Sequence, residues 1–236
     1  MKYLPLMFFV ATTGLSSCQV PSCNYCYQDM NSCLVYEGRI EQERYYDPTN
    51  TFSTALLSEG VSQIEEFSFP ELQMSGVRLY GTCGALFRVE IMNIPDQAFL
   101  DLCLKDHLGP ESLQSLFYHL AWAPIKNSIP NASVAEETVV DLPKGDQGYL
   151  AIVSLPEAST IANAQTGRRI SSLRSYLLYY VGQKLVCLSY ADDPTTEYLV
   201  SRGENGHSLL KTAVLNMQKQ LEILPTHEPK IENLNH

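Results

Sequence analysis

One cysteine of this sequence has neighbours that could support nucleophilic chemistry. Cys83 lies in the run Gly81-Thr82-Cys83-Gly84, a tight glycine-flanked turn in which backbone amides could face an oxyanion. A cysteine hydrolase would pair this thiol with a base, and His107, His119 and His207 are available. No hydrolase signature surrounds Cys83, however, so we expect a protein without catalytic residues and keep the cysteine hydrolase as an alternative.

Motifs of several other chemistries are missing from the sequence. It contains no Gly-x-Ser-x-Gly elbow, no Gly-x-Gly-x-x-Gly fingerprint and no P-loop. The acidic residues near His107, and those that follow Ala191, lack the spacing of transition-metal or calcium ligands. We therefore predict neither a metal nor a cofactor.

Two groups of residues could bind a partner without catalysis. The first is a basic cluster in an otherwise acidic chain: Arg168, Arg169 and Arg174. Guanidinium groups of this kind could hold a phosphate or the carboxylates of a partner. The second is a set of tyrosines close to the same cluster: Tyr176, Tyr179, Tyr180 and Tyr190. Tyrosines at this density can form a platform for a sugar or a protein, although strand propensity alone also favours them.

The sequence contains seven cysteines. Six of them follow Cys18 and are candidates for disulfides: Cys23, Cys26, Cys33, Cys83, Cys103 and Cys187. Six cysteines permit three disulfides in 15 connectivities, among which the sequence does not choose. Structural disulfides are the favoured interpretation for an exported protein. Free thiols, or a redox or metal role for Cys23 and Cys26, are the alternatives.

The beginning of the chain has the pattern of an export signal. Lys2 precedes an apolar run that ends at Leu15, too short to cross a bilayer, which takes about 20 apolar residues. The sequence Leu15-Ser16-Ser17-Cys18 resembles the lipobox of bacterial lipoproteins. The resemblance implies removal of residues 1–17 and attachment of a diacylglycerol to the sulfur of Cys18. An ordinary secretory signal is the rival interpretation.

Charge and composition limit the possible partners. The formal net charge is −10, and removal of Lys2 with the leader would change it to −11. An acidic domain without a basic run is not expected to bind nucleic acid. The lipid on Cys18 would then provide the contact with the membrane. We expect a bacterial cell-envelope protein that faces the periplasm or the cell exterior, and the absence of Asp after Cys18 favours the outer membrane.

The elements that would position these residues form four regions. We predict a signal peptide (1–17), a lipid-anchored tether and lead-in segment (18–75), an α+β globular domain (76–225) and a flexible tail (226–236). The lead-in segment has little periodicity, with one short helix expected around residues 54–67. The globular domain is predicted to form a mostly antiparallel sheet covered by helices, with a C-terminal amphipathic helix over residues 207–224.

The strongest local signal within that domain is a hairpin. Gly182 and Gln183 separate two apolar runs, Ser172–Val181 and Lys184–Ala191, and glycine at the first turn position favours a type II′ turn. Residues 149–155 predict a central strand and residues 110–120 a helix, whereas residues 123–148 are interpreted as a connection. The closing hairpin and helix loosely resemble the end of Mog1/PsbP-like domains, a resemblance of element order that implies fold and not function.

These observations together predict a non-enzymatic, lipid-anchored envelope protein whose folded domain binds a small ligand or an envelope protein. The hydrolase that uses Cys83 is one alternative. A structural envelope protein linked by intermolecular disulfides is the other.

Overall fold

The computed structural model describes residues 36–57, 60–82, 85–95, 109–143, 146–156, 172–191 and 204–224. Most of these residues form two antiparallel sheets. The predicted signal peptide, Cys18 and the predicted tail therefore lie outside the described residues.

The large sheet has seven strands in the order β4-β5-β6-β10-β9-β8-β7, and every neighbouring pair is antiparallel. Its strands are β4 (Val61–Phe69), β5 (Met74–Gly81), β6 (Leu86–Asn93), β7 (Ser133–Asp141), β8 (Gln147–Leu155), β9 (Ser172–Val181) and β10 (Lys184–Ala191). The central position of β10 follows from its pairing with both its hairpin partner β9 and the distant strand β6.

The small sheet has four strands in the order β1-β2-β3-β11. They are β1 (Arg39–Glu41), β2 (Arg44–Tyr46), β3 (Phe52–Ala55) and β11 (Glu222–Ile223). Glu66 of β4 connects the two sheets, because its carboxylate accepts hydrogen bonds from the backbone N–H of Gly38 and from the Tyr45 hydroxyl, at 2.8 and 2.6 Å.

Helical elements lie on both sides of the large sheet. Helix α1 (Pro110–Leu116) runs through a π-helical segment (Phe117–Trp122) into α2 (Ala123–Ser128), and α3 (Glu204–Gln220) precedes β11. A short 3-10 turn (Pro70–Leu72) joins β4 to β5. On one side of the sheet, Leu210 and Val214 of α3 share a core with Tyr45 and Phe52 of the small sheet. On the other side, Leu113 and Phe117 pack against strands β8 and β9.

The predicted α+β class, a sheet covered by helices with a C-terminal amphipathic helix, is wrong. The described residues are mostly antiparallel sheet, with 52% of them in strands against 26% in helices, and they form two sheets instead of one. One part of the α3 side is covered by the small sheet rather than by helix. The helix ends at Gln220, and the chain continues into β11, whereas the sequence pattern extends the helix to residue 224.

Several local predictions are confirmed, and others are wrong. The hairpin has the predicted bounds, and Gly182 has the positive φ of 56° that a type II′ turn requires at this position. Strand β8 and the helix that begins at Pro110 also lie where the sequence predicts them. Within the stretch 54–67, the described residues form no helix: residues 54–55 end β3 and residues 61–67 belong to β4. The supposed connection contains α2 and β7.

Candidate functional site

A cluster of charged and aromatic side chains occupies the side of the large sheet that also carries Phe117. Alternate residues of four strands project to this side, because side chains alternate along a strand. We call this cluster the arginine face. Its members are Glu65 and Phe67 of β4, Arg78 and Tyr80 of β5, Arg88 and Glu90 of β6, and Arg174 and Tyr176 of β9.

The ring of Phe67 forms the apolar centre of the arginine face. Two guanidinium groups lie over it, with the Cζ atoms of Arg78 and Arg88 5.2 and 4.9 Å from the ring centroid. Arginine in this position is attracted to the negative face of an aromatic ring while its N–H edges stay available for hydrogen bonds. The three side chains therefore stabilise one another across three strands.

Gly76 makes room for this arrangement. It pairs with Phe67 across β4 and β5, and an added Cβ atom would lie 2.4 Å from Cζ of that ring. The same Cβ would lie 2.3 Å from the backbone oxygen of Val89, which cannot move as a side chain does. Only glycine at this position allows the ring to lie across β5 toward Arg88.

The carboxylates of Glu65 and Glu90 neutralise the charges of Arg78 and Arg88. Glu65 accepts a hydrogen bond from Arg78 at 2.7 Å and another from the Tyr80 hydroxyl at 2.8 Å. Burial alone would raise the pKa of Glu65, but these hydrogen bonds from Tyr80 and Arg78 lower it overall. Arg88 forms an ion pair with Glu90, two residues along the same strand. The side chains of Arg78 and Arg88 are 24% and 28% exposed, so both can be reached from solvent.

Arg174 is held by the hydroxyl of a tyrosine, whereas Arg78 and Arg88 are held by carboxylates. Its Nη1 donates a hydrogen bond to the Tyr176 hydroxyl at 3.3 Å, and its Nε is buried with no hydrogen-bond partner among the described residues. The Tyr176 ring is buried and packs on Phe117, with 5.7 Å between centroids. The Tyr176 phenol raises the pKa of Arg174, burial opposes this effect, and Tyr80 adds a smaller increase. The guanidinium is therefore charged throughout the physiological range.

The structure describes one of the three arginines of the predicted anion-binding site. Arg174 belongs to the arginine face, whereas Arg168 and Arg169 lie outside the described residues. Arg78 and Arg88 were not predicted as part of this site, because they lie about 90 residues before that cluster. Each follows the period-2 pattern of a strand, but nothing in the sequence shows that the two strands adjoin the hairpin.

The four tyrosines predicted as one binding surface are not brought together. Tyr176 and Tyr180 point to the Phe117 side of the large sheet, whereas Tyr179 and Tyr190 belong to the core on the opposite side. Tyr176 and Tyr179 are also almost completely buried. Of this set, only Tyr176 contributes to the arginine face, through its hydroxyl.

Among the candidate disulfide residues, the described part of the chain contains only Cys187, and its thiol is free. Burial, followed by the charge of Glu90, raises the pKa of this thiol well above its usual value. It is therefore protonated near neutral pH and has little nucleophilic character. Cys83 and His107 of the alternative hydrolase lie outside the described residues, and His119 lies exposed in the π-helical segment.

A second polar cluster lines a cleft between α3 and β7. Glu136 lies 3.5 Å from Nδ1 of His207 and 3.8 Å from Nζ of Lys211. Ser208 lines the same cleft and stands three residues before Lys211, a Ser-x-x-Lys spacing that the sequence analysis overlooked. Within the described residues no hydrogen bond joins Ser208 to Lys211. The half-exposed ion pairs join the helix to the edge strand.

No group of three His, Cys, Asp or Glu side chains lies close enough together to hold a metal ion in the residues described. Among those residues, no helix combines the length and apolar character that crossing a bilayer requires.

Comparison by sequence finds no match, neither to a family model nor to a curated protein. Comparison by structure finds several solved proteins. The chain is similar to the cyanobacterial PsbP of Synechocystis sp. PCC 6803, with 13% identity, a TM-score of 0.45, and coverage of 76% of this chain and 91% of that one.

It is also similar to the Saccharomyces cerevisiae Ran-binding protein Mog1p, with 12% identity, a TM-score of 0.45 and coverage of 80% and 98%. A point mutant of Mog1 gives 11% identity, a TM-score of 0.44 and coverage of 79% and 98%. The described body of the chain therefore has PsbP and Mog1 proteins as structural neighbours, at identities and TM-scores that assign it neither a family nor a function.

Proposed function

We propose that this chain is a lipid-anchored protein of the bacterial cell envelope whose domain binds an envelope protein through the arginine face, without catalysis. The observation that carries the binding role is the position of Arg78 and Arg88 over Phe67, with Arg174 on the same side of the sheet. Arginine and aromatic side chains are the residue types that contribute most to protein recognition.

The chemistry of the arginine face favours binding over catalysis. Its titratable groups are arginines, carboxylates that accept hydrogen bonds, and phenols, none of which is a free nucleophile or a base near neutral pH. Cys187, whose thiol lies in the described part of the chain, is kept protonated by burial and Glu90. Such a set can orient and neutralise a partner's charge, but it offers no pair of groups for proton transfer.

The proposed location in the cell envelope is supported by the sequence alone. The lipobox-like run that ends at Cys18 follows an apolar leader, and a cluster of acyl chains on that cysteine would hold the domain at a membrane surface. We infer the outer membrane because Gln19 and not Asp follows Cys18. The intact mass of the protein from its native membrane, compared with a Cys18→Ala variant, tests this part of the proposal.

Site-specific photo-crosslinking in intact cells tests the binding part. A photoreactive amino acid at position 65 replaces a side chain of the arginine face that is 40% exposed. The matched control is position 209, where Leu209 is 42% exposed on α3, away from that face. We expect a discrete cross-linked band from position 65 that disappears with Arg88→Ala. Equal bands from both positions, or none from position 65, would rule out the arginine face as the binding surface.

A further inference from the structure

We propose that the outer edge of β4 binds an extended, basic segment of the partner as an additional antiparallel strand of the large sheet, an inference that rests on the proposed binding function. The arginine face reaches this edge, because Glu65 and Phe67 are residues of β4. An added strand would therefore continue the proposed binding surface beyond β4.

The pairing of β5 with β6 fixes which backbone groups of β4 face outward. At one end of that pair, the Gly81 N–H donates to the Ala85 oxygen at 2.7 Å. At the other end, the Asn93 N–H donates to the Gln73 oxygen at 3.0 Å. Along a strand, residues that bond to the neighbour on one side alternate with residues that bond to the neighbour on the other. The odd-numbered residues of β5 therefore bond to β6, and the even-numbered ones bond to β4.

Three residues of β4 direct their backbone N–H and C=O groups away from the sheet. The even-numbered residues of β5 pair with Gln63, Glu65, Phe67 and Phe69. The outward-facing groups belong to the residues between them: Ile64, Glu66 and Ser68. Among the described residues, no hydrogen bond reaches these backbone groups. Because a row of unpaired groups at a sheet edge is a template for another strand, β4 can extend the sheet.

The opposite edge of the large sheet is less suited to this pairing. Strand β7 has a register shift beside Glu136, whereas the register of β4 on β5 is unbroken from Gln63 to Phe69. Such an irregularity bends and twists an edge strand and disfavours the addition of another. The Glu136 side chain is also engaged by His207 and Lys211 of α3. Of the two edges, β4 is therefore the one that can accept a strand.

The charge beside β4 selects a basic segment. The Glu66 carboxylate accepts hydrogen bonds from neutral donors, namely two backbone N–H groups that precede β1 and the Tyr45 hydroxyl. Within the described residues, no cation forms an ion pair with Glu66 or with the exposed Glu37 and Glu71. A lysine or arginine directly opposite Glu66 would form the cross-strand pair of opposite charges that this edge lacks.

The same charges argue against a second copy of this chain as the occupant. Two β4 strands that paired antiparallel about their middle would bring Glu65 and Glu66 of one copy beside those of the other. Like charges directly opposite each other destabilise a strand pair. The net charge of −10 adds a general repulsion between two copies and an attraction for a basic partner.

Amide hydrogen exchange of the full chain in detergent, followed by nuclear magnetic resonance, tests the proposal. The probe is the peptide acetyl-Thr-Val-Thr-Lys-Thr-Val-Thr-amide, whose lysine would lie opposite Glu66. We expect the peptide to slow exchange at Ile64, Glu66 and Ser68 more than at Glu65 and Phe67, which are already bonded to β5. No slowing at millimolar peptide would overturn the proposal. Slowing that rises with protein concentration without peptide would identify a second copy as the occupant and would also overturn it.

Two N-methylated forms of the peptide test the backbone pairing itself. Methyl groups on both valines remove N–H groups that would face β4, and we expect about tenfold weaker binding. Methyl groups on the two threonines beside the lysine would face away from β4, so this form should bind like the parent peptide. Equal binding of the two methylated forms would contradict the addition of a strand.

Charge variants test the preference for a basic segment. Glu66→Gln should weaken binding of the peptide about threefold, because a solvent-accessible ion pair is lost. The matched control is Glu136→Gln on β7, which should bind the peptide as the wild type does. A peptide with threonine in place of lysine should bind the wild type and Glu66→Gln equally. Equal binding of the basic and neutral peptides to the wild type would overturn the preference for a basic segment.

The results also distinguish this inference from the proposed function. If the peptide leaves exchange in β4 unchanged but the cross-link from position 65 persists in cells, the partner binds the arginine face without pairing with β4, and the inference is wrong. If the cross-link is absent as well, the proposed binding function is wrong with it.

Discussion

Nη1 of Arg174 donates a hydrogen bond to the hydroxyl of Tyr176, two residues along the same strand, at 3.3 Å. Residues two apart on a strand share a side of the sheet, so the contact needs no distortion of the backbone. Because the Tyr176 ring packs on Phe117, this hydrogen bond connects the core under the helix to the arginine face. The guanidinium is thus oriented by the hydrophobic core.

Removing the Tyr176 hydroxyl should increase the mobility of the Arg174 side chain and leave the packing of the core unchanged. Tyr176→Phe keeps the ring contact with Phe117, and we expect the free energy of unfolding to fall by about 1 kcal/mol, the contribution of one hydrogen bond. The ¹⁵N resonance of the Arg174 Nε–H group should move at the same time, because the guanidinium loses its hydrogen bond to the Tyr176 hydroxyl. Urea denaturation and ¹⁵N-arginine nuclear magnetic resonance measure the two effects. An unchanged Arg174 resonance in the variant would show that Tyr176 does not position Arg174.

Gly76→Ala should be strongly destabilising. The added methyl group would overlap the Val89 backbone oxygen and the Phe67 ring, and overpacking of this kind costs about 3 kcal/mol. The control is Gly109→Ala, since no atom lies within 4 Å of a Cβ at that position. Its cost, from a less suitable helix N-cap, should be about 1 kcal/mol or less. Equal denaturation midpoints for the two variants would contradict the close approach of Phe67 to β5.

Glu66→Ala should weaken the attachment of the small sheet. The Glu66 carboxylate accepts hydrogen bonds from the backbone N–H groups of Glu37 and Gly38 and from Tyr45, whose side chain is fully buried. We expect a loss of about 2–4 kcal/mol, because a buried hydroxyl is left without its partner. Hydrogen exchange should increase in β1 and β2 more than in β9. A uniform increase would mean that Glu66 does not act locally.

The pH dependence of stability should report on Glu65. Its pKa is lowered in the folded protein, so its contribution is present above its ordinary pKa of 4.5 and is lost as the pH falls through the folded value. Glu65→Gln should therefore make the free energy of unfolding less steep in pH below 4.5. Tyr80→Phe, which removes one of the two hydrogen bonds that lower this pKa, should give an intermediate slope.

Cys187 should resist alkylation in the folded protein. Its thiol has a raised pKa and a free sulfur, so iodoacetamide at pH 8 should modify it slowly under native conditions and rapidly in urea without a reductant. Peptide mass spectrometry measures both rates. If modification in urea required a reductant, Cys187 would be in a disulfide, as the sequence analysis allows.

The elements that are stabilised mainly by interactions between residues close in sequence could be predicted from the sequence. The hairpin of β9 and β10 is set by a glycine at the turn and by apolar runs on both sides, and the structure has the predicted bounds. The helix that begins at Pro110 follows from proline in the first turn and from Leu113 and Phe117 on one side. The export signal and the lipid on Cys18 are likewise inferred only from residues that are close in sequence, and they stay predictions.

The tertiary structure decided what depends on distant pairing. Residues 54–67 have no clear strand pattern of their own. Residues 54–55 and 61–67 become strands because β3 pairs with β2 and β11 while β4 pairs with β5. The arginine face forms because β6 pairs with β10, which brings Arg88 to the hairpin that carries Arg174. Strand pairing between segments about 100 residues apart depends on packing over the whole sheet, and no local pattern encodes it.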